Sequence, residues 1–159
     1  MNTNCSLFEK LCNVETLYES WNAIRNKKSS GGIDGITVSR FEEDINEHLT
    51  SLSEELKKGA WSPEPYLGIE IPKKNKESRR LGLLSIKDKI VQNAIKTLIE
   101  PILENAFVEN SYAYRPGKGH TKAVRRTLEE CCKKRNGHIL RLDIDNFFDN
   151  INQIGRAHV

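Results

Sequence analysis

No apolar run in this chain approaches the roughly 18 residues that a membrane-spanning helix needs, so no membrane partner is expected. The N-terminus, MNTNCSLFEKLCNVE, has neither the basic start nor the apolar middle of a secretory signal. Four cysteines occur, at Cys5, Cys12, Cys131 and Cys132, with no CxxC among them. The adjacent pair does not bridge easily, which argues against a disulfide scaffold, and the spacing does not suit a zinc site. Reduced thiols and a cytoplasmic location are the expectation. No segment repeats, which argues against a solenoid. The glycines of KKSSGGIDGIT are not followed by Gly-Lys-Ser/Thr, so this loop is not a phosphate-binding P-loop. A net charge of +3 is too small to name a partner by itself.

What is present is a chain of 159 residues, 30% charged and 37% hydrophobic, enough for one domain or part of a larger one with a real core. The spacing of Leu17, Trp21 and Ile24 predicts a helix over 14–27. Ser39 with Glu42 reads as a capping box. It opens a second helix whose stripe is Phe41, Ile45, Leu49, Leu52 and Leu56, ended by Gly59. YLGIEIP and RRLGLLS alternate around a polar KKNKES turn, which predicts a hairpin over 66–84 with a basic tip. A third helix starts after Ser85 with Asp88 in capping-box position. Its core stripe is Ile90, Val91, Ala94, Ile95, Leu98 and Ile99, and Pro101 should break or kink it.

SYAYRPGKGHT follows as a turn-rich loop. A helix is expected from about Lys122 to Arg135, with Val124, Leu128 and Cys131 facing inward and Glu129–Lys133 and Glu130–Lys134 as i,i+4 pairs. Between Tyr112 and Arg135 stand eight basic residues against two glutamates, the footprint of a polyanion site or of a solvated helix face. The helix dipole and the ion pairs account for Lys133, Lys134 and Arg135. They account less well for Arg115, Lys118 and Lys122, which gather at a rigid Arg-Pro-Gly turn. The chain then alternates through HILRLDIDNFF, with Leu140, Leu142 and Ile144 on one side and Asp143 on the other. A strand there would hold Asp143 at its end among apolar neighbours. Such a carboxylate needs a counter-charge, from an Arg or Lys partner or from a divalent cation.

Four blocks in this order resemble the N-terminal half of a group II intron-type reverse transcriptase: GGIDGIT, IPKKNKESRRLGLLSIKDKIVQNAI, SYAYRPGKGHTKAV and RLDIDNFFDNIN. The last is similar to the palm motif usually written D-I-K-G-F-F-D-N-I. The resemblance spans Gly31 to Asn152. It implies an α+β fold, with fingers and the beginning of a palm, truncated before the Tyr-x-Asp-Asp strand. Residues 1–65 would be a helical extension and pre-fingers block, 66–137 the fingers, and 138–152 the start of the palm.

The resemblance also implies roles. Asp143 would be the catalytic, metal-binding carboxylate, with the Ile144 carbonyl helping to hold Mg²⁺, a hard ion that prefers oxygen. Lys73 and Arg79 would grip the incoming triphosphate, with Arg80 standing where proline is common. Phe148 would lie under the sugar and clash with a ribose 2′ hydroxyl, supported by Phe147. Asp149 would fix a turn. Arg115 would line the template track; from the basic cluster, Lys118 and Lys122 are expected to line one nucleic-acid groove with it and with Lys73 and Arg79. The partners would be an RNA template, a DNA primer and deoxynucleoside triphosphates, with intron RNA as a further one. Asp145 stands where the family has Lys, and Asn146 where it has Gly.

Two other readings compete. A HAD-type phosphatase also uses a strand-end D-x-D, but its motif does not continue as NFFDN. A noncatalytic RNA-binding or maturase-type splicing module fits the basic loops equally well; a Tyr-x-Asp-Asp strand would separate it from a polymerase. Residues 153–159 are expected to be foreign: ATC GGA AGA GCA CAC GTC, the body of a common sequencing adapter, encodes IGRAHV at 154–159, and the adapter's preceding AG fits the end of CAG, the Gln153 codon.

Overall fold

The structure is a computed structural model that describes residues 6–26, 31–72, 78–133 and 138–144, with Phe147 and Asn150. The side chains of Arg79 and Arg80 fall outside that description. The chain forms two compact units, Met1–Phe107 and Val108–Val159.

Among the described residues the first unit has five helices and one hairpin: α1 Leu7–Leu11, α2 Val14–Arg25, α3 Val38–Glu43, α4 Ile45–Lys57, β1 Leu67–Pro72, β2 Ser78–Leu83 and α5 Ile86–Glu104. Ser6 and Glu9 cap α1 reciprocally, and Asn13 caps α2 through the Glu15 amide. The 3.6-residue period brings Leu17, Trp21 and Ile24 onto the buried face of α2, as its spacing predicts. They meet Phe41, Leu49, Leu52, Leu56, Ile86, Ile90, Val91 and Ala94 in one core. The Phe41 ring sits between Trp21, at 5.1 Å, and His48, stacked at 4.5 Å. Arg25 pairs with Glu42 at 2.8 Å, tying α2 to α3 at the surface.

The second expected helix is two. Thr37, not Ser39, is the N-cap of α3: its Oγ1 accepts from the Arg40 amide at 3.3 Å. Thr37 is itself a good cap, so the helix starts earlier and Ser39 falls inside it. At Asp44 (φ −120°, ψ 36°) the backbone leaves helical geometry and restarts as α4. The apolar stripe survives this break, with Phe41, Leu49, Leu52 and Leu56 buried and Ile45 packed at the edge. Gly59 ends the helix at φ +64°, where a Cβ would be strained.

Helix α5 runs through Pro101 to Glu104, so the proline does not break it. Pro101 lies in the last turn, where the missing N–H removes a single hydrogen bond and few turns remain to disrupt. Its buried stripe also stops early. Ile90, Val91 and Ala94 are buried, whereas Ile95 is exposed and Leu98 and Ile99 are half-exposed.

The second unit contains α6, His120–Lys133. No residue of α6 is buried: Val124 is 55% and Leu128 59% exposed, and Cys131 is exposed too. Periodicity identifies an apolar face but not what covers it. The ion pairs also differ from expectation. Arg126 reaches Glu130 at 3.3 Å and Lys133 reaches Glu130 at 3.2 Å, so Glu130 rather than Glu129 carries the Lys133 pair. Lys134 lies outside the described residues.

Residues 138–144 form neither helix nor strand, and Leu140 and Leu142 are 79% and 81% exposed. This corrects the expected core strand. A strand needs a neighbour to satisfy its backbone groups. Among the described residues the only ladder is β1 with β2. Alternation shows which face a segment would offer to a sheet; it does not supply the sheet.

Candidate nucleic-acid interface

The hairpin is fixed at its base by α5. Ser85 caps the helix, its Oγ accepting from the Asp88 amide at 3.2 Å. The expected capping box is only half made. The Asp88 carboxylate turns away from the Ser85 amide and accepts from the Glu64 amide at 3.0 Å, just before β1. Aspartate is one methylene shorter than the glutamate that usually closes such a box.

The GGIDGIT block closes on the same point. Gly32 lies against the backbone where β2 runs into α5; a Cβ on it would stand 2.5 Å from the Ser85 nitrogen and 2.6 Å from the Leu84 carbonyl carbon. Asp34 Oδ1 accepts from the Ile36 amide at 3.2 Å, and Gly35 turns the chain at φ +66°. Burial pushes the Lys89 ammonium below its ordinary pKa, and the nearby Asp34 carboxylate partly offsets this.

The antiparallel register sets Ile71 opposite Arg79 and Glu70 opposite Arg80. The two arginines therefore have different cross-strand partners: Arg80 faces a carboxylate position and Arg79 an apolar one. Lys73 lies in 73–77, outside the described residues.

In the second unit the three basic residues singled out by the sequence fall in and just after one loop: Arg115 and Lys118 in the loop, Lys122 in the first turn of α6. The Arg115 guanidinium donates to the Val108 carbonyl at 2.8 Å and to the Ser111 carbonyl at 2.9 Å. Lys118 donates to the Glu109 carbonyl at 2.7 Å, and its ammonium stands 5.7 Å from the centre of the Tyr112 ring. Lys122 donates to the Gly117 carbonyl. Each cation thus stitches backbone as well as adding positive charge. Gly117 has φ +65° and needs glycine's freedom. Tyr114 has φ +57° without that freedom and is 102% exposed. It was not among the residues singled out from sequence; an aromatic inside a turn-rich basic loop was the available signal.

Asp143 is exposed and makes no hydrogen bond or ion pair to another described residue. The alternative of an Arg or Lys counter-ion therefore finds no support among the described residues. The Asp143 carboxylate and the Ile144 carbonyl are adjacent oxygen donors of the kind Mg²⁺ takes. No three His, Cys, Asp or Glu side chains gather as a metal site among the described residues. Phe147 sits in a turn and is 52% exposed; Phe148 and Asp149 lie outside the described residues. Among those residues, no helix is long and apolar enough to cross a membrane.

Comparison with known proteins gives a family match over residues 71–157, to the model described as reverse transcriptase (RNA-dependent DNA polymerase). Protein YkfC of Escherichia coli K12 is 32% identical over 123 residues, covering 76% of this chain and 32% of that protein. Group II intron-encoded protein LtrA of Lactococcus lactis is 29% identical over 151 residues, covering 93% of this chain and 24% of that protein. A putative COX1/OXI3 intron 2 protein of Saccharomyces cerevisiae is 25% identical over 154 residues, covering 93% of this chain and 17% of its own length. The chain thus spans about a third or less of the curated relatives it matches.

Proposed function

Because the chain belongs to the reverse transcriptase family, in its group II intron type, we propose that it supplies the fingers and the first palm carboxylate for RNA-templated DNA synthesis. The observation that carries this reading is the family match over 71–157, which spans Lys73, Arg79, Arg115, Lys118, Lys122, Asp143, Ile144, Phe147 and Phe148.

In this reading Asp143 and the Ile144 carbonyl hold Mg²⁺. When bound, divalent metal activates the primer 3′ hydroxyl and neutralises charge on the transferring phosphate. Lys73 supplies a point charge and Arg79 a planar fork to the incoming triphosphate. The register favours Arg79 over Arg80 for this task, because Arg80 stands across from Glu70. Phe148, backed by Phe147, excludes a ribose 2′ hydroxyl. Arg115, Lys118 and Lys122 meet phosphates of the RNA strand, which gives weak, salt-sensitive binding.

The 159 residues contain no Tyr-x-Asp-Asp. One carboxylate and one carbonyl do not complete two metal sites, so this chain alone is not expected to extend a primer. The test is primer extension on an RNA template by a full-length protein carrying these residues. Asp143→Asn should abolish synthesis with the fold retained, and Phe148→Ala should admit ribonucleotides. RNA binding without extension by the full-length protein would favour a noncatalytic splicing module. An active Asp143→Asn protein would overturn the metal assignment.

A further inference from the structure

We propose that Tyr114 is a stacking platform for one base of single-stranded RNA, an assignment that rests on the RNA-templated reading above. Three observations converge on this residue. It is the one non-glycine with positive φ among the described residues, at +57°. A bulky side chain in that region is strained, and strain persists where the surroundings enforce it. The residue is 102% exposed, with no hydrogen bond or ring contact to another described residue. Tyr112, two residues earlier, is by contrast half-buried and lies 5.7 Å from the Lys118 ammonium.

The surroundings do enforce the conformation. Arg115 holds the carbonyls of Val108 and Ser111, Lys118 that of Glu109, and Lys122 that of Gly117. The Lys118 amide closes the turn onto the Arg115 carbonyl at 3.2 Å. Cross-links on both sides of Tyr114 fix its backbone, so little main-chain freedom is left to lose on binding. Hydrophobic collapse does not explain the arrangement, because it leaves a large aromatic in water.

The charge pattern selects the occupant. Residues 112–122 carry Arg115, Lys118 and Lys122 and no acid. A protein surface offering an apolar socket need not be polyanionic, whereas a single-stranded nucleic acid offers phosphate and an unstacked base together. Aromatic rings beside cationic tracks are how sequence-tolerant single-strand sites are built. Lys and Arg here meet the backbone, and Tyr114 meets one base face.

The experiment is fluorescence anisotropy of the whole 159-residue chain with a short labelled oligouridylate, and with an abasic oligomer of equal phosphate count. Tyr114→Ala should weaken oligouridylate binding roughly 5- to 150-fold, the range of one stacked base. Tyr114→Phe should bind like the parent. On the abasic oligomer parent and Tyr114→Ala should bind equally, and the salt slope should be the same for both, since no phosphate contact is removed. Equal oligouridylate binding by parent and Tyr114→Ala would overturn the stacking and leave the ring to a protein surface. Equal loss on both oligomers would overturn it too, because the ring would then act by shaping the loop. No binding of either oligomer by the parent would overturn both the platform and the RNA-strand role of the loop.

Discussion

The Asp88 carboxylate accepts a hydrogen bond from the Glu64 amide at 3.0 Å, joining the first turn of α5 to the chain just before the hairpin. Asp88 is 1% exposed, and its charge lies where the helix N-terminus favours an anion. Asp88→Ala leaves the Glu64 amide without this partner. It should destabilise the first unit by about 1–3 kcal/mol, while Asp88→Asn, which keeps an accepting oxygen, should cost less. Urea unfolding of the three proteins checks this; equal midpoints would show that the bond contributes nothing.

Two glycines of one block should respond differently to the same change. Gly32→Ala drives a methyl into the backbone of Leu84 and Ser85, at 2.5–2.6 Å, where no flexible side chain can yield. Overpacking of this kind costs about 1–3 kcal/mol, and more when backbone must shift. Gly35→Ala meets nothing within 4 Å and costs only its left-handed conformation, about 1–2 kcal/mol. Thermal unfolding should rank Gly32→Ala as the less stable, and the reverse order would refute the close approach.

Local signals in the sequence were legible where one element decides the outcome. The face of α2, the hairpin, the Ser85 cap and the Gly59 stop each follow from spacing or backbone chemistry inside a few residues. The failures are of a different kind. Thr37 and Ser39 are both competent caps, and the choice depends on where Phe41 must land in the core. Val124 and Leu128 on α6, and Leu140 and Leu142 before Asp143, carry apolar periods whose partners no local rule supplies. At the candidate site the sequence identified Arg115, Lys118 and Lys122 as a cluster. It did not reveal that each holds a backbone carbonyl, since that depends on the path of residues 108–117.

Thiol reactivity should follow burial. Cys12 is 2% exposed, and burial pushes its thiol above the ordinary range, with Lys57 partly opposing. Cys131 and Cys132 are exposed. Alkylation at pH 8, read by peptide mass mapping, should label Cys131 and Cys132 first and Cys12 only on unfolding. The raised pKa also fixes a sign. The folded state retains the Cys12 proton longer than the unfolded chain, so this stabilisation is full below the unfolded pKa. It is lost as pH rises through the folded value. Cys12→Ser should therefore flatten the alkaline loss of stability, and an unchanged profile would count against it.

The cations of the Arg-Pro-Gly loop have two duties that one experiment can separate. A lysine ammonium has three donors, and the carbonyl bond described for Lys118 uses one of them. Holding the Glu109 carbonyl therefore leaves Lys118 able to meet a phosphate. Arg115 is more committed, since one of its nitrogens already serves both Val108 and Ser111. Charge reversal at either position should weaken RNA binding and lower the salt slope by about one released counterion. Their effects on the loop should differ. Arg115→Glu removes two carbonyl contacts and sets a carboxylate against those oxygens, so amide exchange across 108–117 should accelerate strongly. Lys118→Met keeps much of the side-chain length, removes the charge, and breaks one contact; exchange should rise only near Glu109. Weaker RNA binding by Lys118→Met, with exchange elsewhere in the loop unchanged, would assign Lys118 to phosphate directly. If binding fell only in variants whose whole loop had loosened, the cations would act on RNA through loop shape alone.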